Sequence, residues 1–160
     1  MTTPLPPQAN SALRLSRIFA VILLVALAGL AVILPPITES LCNTRDLLGN
    51  RSDMTQAGRW FVLAVAYCVV AVAAFAIVTL WRLLGVIERG EVFGSKTSAL
   101  LQTVSLCCFG EGLLFLSLVY HFQLALCVTL GICFVGLCLL VVKNVIDEAR
   151  RIKAENDFTI

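Results

Sequence analysis

From Trp60 to Trp81 the chain runs without one charged side chain. A helix rises about 1.5 Å per residue, so this run is long enough for the roughly 30 Å hydrocarbon core of a bilayer. Within lipid every backbone amide and carbonyl must be paired internally, which a helix does and an open strand does not. Arg59 and Arg82 bracket the run, and Trp60 and Trp81 stand where interfacial aromatic residues belong. Its alanines and valines permit close packing against neighbours. The composition agrees: of 160 residues, 59% are hydrophobic and 14% charged. A soluble domain of this size could not hide that much apolar surface. The formal net charge of +2 is too small to point to direct nucleic-acid binding.

Three further runs follow the same logic. Ile18 to Leu34 is an uncharged apolar stretch at the short end for a span, and Pro35-Pro36 is expected to end it, because proline lacks the amide donor and clashes with the preceding turn. A cleaved signal peptide is the competing reading. The length of the run and the poor cleavage context before Pro35 favour a retained helix. Residues 1–17, with Pro4, Pro6 and Pro7, read as a disordered cytoplasmic tail. Thr38 to Arg59 is a polar loop. Arg82 to Lys96 is a second loop, with Gly90 as a helix C-cap, Ser95 as an N-cap and Phe93 as an apolar plug between them. Residues 98–120 form a third span interrupted by Glu111. His121-Phe122-Gln123 makes a tight turn into the fourth span, 124–142, where Gly131 and Gly136 allow close approach. Beyond it, residues 143–160 continue as a cytoplasmic C-terminal helix and tail. Val142, Val145, Ile146, Ala149 and Ile152 make its apolar stripe, with Asp147–Arg151 and Arg151–Glu155 pairs at helical spacing. The expected fold is all-α: an integral membrane four-helix bundle over 18–142 with an amphipathic extension.

Basic residues give the orientation. Arg14, Arg17, Arg82, Arg89, Lys96, Lys143, Arg150, Arg151 and Lys153 fall on one side, and Arg45, Arg51 and Arg59 on the other. Nine against three places both termini in the cytoplasm, because basic segments are retained there.

Few residues carry candidate chemistry. Glu111 lies well inside the run from Ser98 to Tyr120, near mid-membrane, where a charge is costly. It reads either as a proton or cation site or as a neutral carboxyl hydrogen-bonded across the helices. Tyr67 and Thr129 are polar groups at similar depth, Cys133 is level with Glu111, and Gly110 and Gly112 leave room beside it. His121, the single histidine, reads as an interfacial turn residue rather than a metal ligand. Of seven cysteines, Cys68, Cys107, Cys108, Cys127, Cys133 and Cys138 lie in apolar runs and read as small hydrophobes, with Cys42 alone in a polar segment. There is no nucleophile elbow, phosphate-cradling glycine loop, paired-cysteine zinc pattern or dinucleotide fingerprint, so neither a cofactor nor a catalytic residue is expected. The charges of the C-terminal segment nearly balance, which favours a protein-facing helix over a lipid-binding one.

Gly90-Glu91-Val92-Phe93 before Ser98-Ala99-Leu100, and Val145-Ile146-Asp147-Glu148 through Arg151-Ile152-Lys153 to Glu155-Asn156-Asp157-Phe158-Thr159-Ile160, resemble a bacterial family known as Domain of Unknown Function 2975. The resemblance implies a small four-span protein of the bacterial inner membrane. Members are often encoded beside a small helix-turn-helix regulator, which implies a membrane partner for a DNA-binding protein. Two readings follow. One is a non-enzymatic anchor that uses Phe93, Val145, Ile146, Ala149 and Ile152 to hold a cytoplasmic regulator. The other is a proton-coupled carrier built on Glu111, acting as a homo-oligomer. A membrane enzyme is the weakest alternative.

Overall fold

The structure is a computed structural model that describes residues 7–43, 56–88 and 94–157. Its four helices are α1 (Pro7–Asn43), α2 (Gln56–Glu88), α3 (Ser95–Leu118) and α4 (Leu124–Asp157). The protein is all-α, and each helix is long and apolar enough to cross a membrane.

Two expectations about α1 need correction. The helix is already formed at Pro7, inside the segment read as a disordered tail. Proline suits a first helical position, where its missing amide would have no partner. Nor does Pro35-Pro36 end the helix, which runs through both prolines to Asn43. Pro35 leaves the Ala31 carbonyl without its amide four residues on, and the Tyr67 hydroxyl of α2 donates to that oxygen at 3.3 Å. A neighbouring side chain thus replaces the lost backbone bond, which is how transmembrane helices tolerate proline.

At α3 the N-cap is Gly94 in extended conformation, not Ser95, and no side chain caps the helix. Gly90 and Phe93 lie outside the described residues. The α3–α4 connection runs from Val119 to Gln123, longer than the turn expected at His121-Phe122-Gln123. The Leu118 carbonyl accepts the amides of His121 at 2.9 Å and Phe122 at 2.8 Å.

The helices pack antiparallel and in chain order, α1 on α2, α2 on α3, α3 on α4. Among the described residues no other pair of backbones approaches closely, so α1 and α4 are edge helices of an open serpentine rather than neighbours in a closed bundle. In lipid nothing forces closure, because the tails solvate an apolar edge as well as another helix does. The core is accordingly small. Val62 and Val65 of α2, Leu118 of α3 and Ala125 of α4 cluster near the α3–α4 turn.

The α3–α4 seam is the tightest contact. A Cβ on Gly112 would stand 2.6 Å from Cys133 Sγ, and one on Gly136 would stand 3.1 Å from Cys108 Cβ. Beside the second of these points the fully buried Ser105 hydroxyl donates to the Gly136 carbonyl at 2.8 Å. Gly131, expected to share this role, faces open space. The six cysteines outside Cys42 are free thiols within the helices.

Candidate functional site

Two groups of residues stand out, one within the membrane-crossing part and one where α3 begins and α4 ends. Glu111 stands two helical turns from buried Val104 and two from buried Leu118, on the inward stripe of α3, and is itself half-buried. Among the described residues its carboxyl has no hydrogen-bond donor and no cation. Cys107 and Cys108 are within electrostatic range of it. Thr129 lies across the seam beside Gly112, but its hydroxyl donates to its own Ala125 carbonyl at 2.8 Å. Tyr67 turns to α1. The structure therefore brings Thr129 and Cys133 to the level of Glu111, and commits Tyr67 elsewhere. Gly110 keeps open space beside the carboxyl, while Cys133 fills the space at Gly112.

His121 sits among rings, 5.2 Å from Tyr120 edge-on and 6.2 Å from Phe61. No cluster of metal-ligating side chains occurs among the described residues.

The second group is built by α4 running unbroken past Val142. Its polar edge, Lys143, Asp147, Arg150 and Ala154, recurs at helical spacing and faces Ser95, Ser98, Ala99 and Gln102 of α3 across an open cleft of about 580 Å³. Buried Ser98 hydrogen-bonds Asp147, and Lys143 Nζ lies 3.3 Å from Asp147 Oδ2. The Ser98 hydroxyl, with Lys143, holds the Asp147 carboxyl below the ordinary aspartate range despite some opposing desolvation. Arg151 pairs with Glu148 at 2.9 Å and Glu155 at 3.8 Å, so the expected Asp147–Arg151 pair is replaced by Asp147–Lys143.

Docking by this polar edge decides the fate of the apolar stripe. Val145 and Ile152 are 63% and 52% exposed, while Ile146 and Ala149 are half-buried. Phe93, the remaining member of the expected face, is outside the described residues. Across the same end, Arg17 of α1 pairs with Glu88 of α2 at 3.1 Å. Neither Ser98 nor the Arg17–Glu88 pair stood out in the sequence. The repeat Lys143, Asp147, Arg150, Ala154 was visible there, but the parallel apolar stripe masked it.

An all-α chain with four membrane-crossing helices and no assembled catalytic or metal cluster among its described residues is, in class, a multi-pass membrane protein. The chain belongs to the family described as protein of unknown function (DUF2975), whose model matches residues 48–160. That range takes in α2, α3, α4 and both segments that carry the resemblance. No curated protein and no solved structure matches the chain.

Proposed function

We propose that the protein is a non-enzymatic membrane anchor that holds a small helix-turn-helix regulator, with α4 beyond Val142 reaching into the cytoplasm of a bacterial cell as the recognition element. The carrying observation is the outward apolar pair Val145 and Ile152 on a helix whose other edge is already fixed to Ser98. An exposed apolar stripe on a rigid helix fits a groove of a soluble partner. Ile146 and Ala149 flank the pair, and both termini lie on the cytoplasmic side. The partner, not this chain, would touch DNA. The resemblance supplies the class of partner. The test is co-purification of the full-length chain with the helix-turn-helix regulator encoded beside its gene. Val145→Asp with Ile152→Asp should abolish capture while membrane insertion is unchanged, because both residues point away from α3. Equal capture by the double variant, or no capture by the wild type, overturns the reading.

Glu111 supports a second reading, a proton-coupled carrier. Its favouring observation is a half-buried carboxyl without a partner among the described residues. An open serpentine encloses no central path, so a second copy would have to complete one. Under this reading Glu111→Gln leaves the protein folded and abolishes proton-linked uptake into vesicles. Under the anchor reading it leaves regulator capture intact.

A further inference from the structure

We propose that the cleft between the start of α3 and the polar edge of α4 binds the phosphate of an anionic phospholipid headgroup. The cleft lies where the apolar run of α4 ends at Val142 and the first charge, Lys143, appears. That is headgroup depth. Its lining carries three cations, Lys143, Arg150 and Arg151, against one carboxylate, Asp147. The near-neutral sum of the whole C-terminal segment hides this local excess, because Glu148 and Glu155 do not line the cleft and both pair with Arg151.

The cations are held differently. Lys143 is fixed by Asp147, which is itself fixed by Ser98, so its ammonium is positioned before any ligand arrives. Arg150 has no ion pair among the described residues, and its guanidinium is the fork that suits a phosphate. Ser95 and Gln102 line the same space with neutral donors. The volume of about 580 Å³ is ample for a headgroup.

A free phosphate ester shares this chemistry. The lipid source is favoured by what lies beneath. Gln102 is followed on the same face of α3 by Leu106 and Leu113, which are 62% and 69% exposed. They continue the cleft toward mid-membrane as a track for acyl chains. The site uses the α3-facing edge of α4 and leaves Val145 and Ile152 free, so it is independent of regulator capture.

Native mass spectrometry of the full-length protein, released from nanodiscs of phosphatidylglycerol mixed with phosphatidylcholine, tests it. The wild type should retain phosphatidylglycerol preferentially. Arg150→Gln should lower that retention by about 5-fold, the value of one interfacial cation. Lys153→Gln makes the same charge change outside the cleft and should leave retention within about 2-fold, because only lining cations contribute at contact range. Added glycerol phosphate should not displace the lipid. Equal loss in both variants would reduce the effect to general surface charge and overturn the site. Equal retention of phosphatidylcholine, or displacement by glycerol phosphate, would overturn the lipid assignment. Should Arg150→Gln not fold, Arg150→Lys keeps the charge without the fork and should show a smaller loss in the same assay. Unchanged retention in Arg150→Lys would then overturn the guanidinium's role.

Discussion

Tyr67 shows how much one hydroxyl can decide when the solvent is lipid. Its phenol crosses from α2 to the Ala31 carbonyl, whose own helical partner is the missing amide of Pro35. An unpaired carbonyl in hydrocarbon costs several kcal/mol, whereas an interhelical hydrogen bond there is worth about 0.6 to 1 kcal/mol net. Tyr67→Phe should therefore destabilise the protein in micelles by roughly 1 kcal/mol. The assignment makes a sharper claim through a double-mutant cycle. Pro35→Ala restores the amide, so Tyr67→Phe should become nearly silent in that background. The same cost in both backgrounds would mean that Tyr67 acts only by packing. Glu111 is the contrasting case, a polar group at comparable depth with no such partner among the described residues.

At the scale of elements, the end of α4 is the informative piece. Its helix continues in register past the apolar run, and Asp147 ties it to α3 through Ser98. Because that tie lowers the Asp147 pKa, its contribution is present above the ordinary aspartate value and is lost as pH falls through the lowered one. Amide resonances of residues 143–154, followed by NMR in micelles, should shift with an inflection below the ordinary aspartate value. Asp147→Asn should show the detached spectrum at pH 7 with no inflection. An inflection at or above the ordinary aspartate value would rule out the tie. The helices themselves were legible in the sequence because uncharged runs and flanking arginines report lipid directly. Their ends were not. Pro35 reads as a stop because its remedy, Tyr67, lies on the next helix, beyond the α1–α2 connection. Asp147 reads as a partner of Arg151 by spacing alone, and its actual partners are fixed by how α3 and α4 pack. Glu111 was legible as an oddity, since any charge in a span is one. That Tyr67 commits its hydroxyl to a carbonyl of α1 follows only from the packing, whereas Thr129 bonds the carbonyl four residues back in its own helix, a local habit of threonine.

At the scale of the whole molecule, the serpentine order groups the charged segments. Arg17 meets Glu88, and Ser98 meets Asp147, so the starts of α1 and α3 lie at the same end as the finishes of α2 and α4. Of the basic residues counted to one side, Arg14, Arg17, Arg82, Lys96, Lys143, Arg150, Arg151 and Lys153 lie in described helices and belong to that end, and Arg59 lies near the start of α2 at the other. Retention of basic segments then predicts both termini in the cytoplasm. A reporter that works only in the cytoplasm should be active when fused after Ile160. A reporter that works only outside should be active when inserted at residues 44–49. The prediction does not depend on α1 being retained, because its loss leaves three spans and the same inside end for α4. It does depend on the local charges. Exchanging Arg82, Arg89 and Lys96 for glutamine removes a third of the basic residues from that end but leaves six against three, so the orientation should hold. Activity of the external reporter at Ile160 in the wild type would put the α4 extension outside the cell. The cleft at Arg150 and the apolar pair Val145 and Ile152 would then face the wrong compartment for a DNA-binding partner, and the anchor reading would fail with the topology.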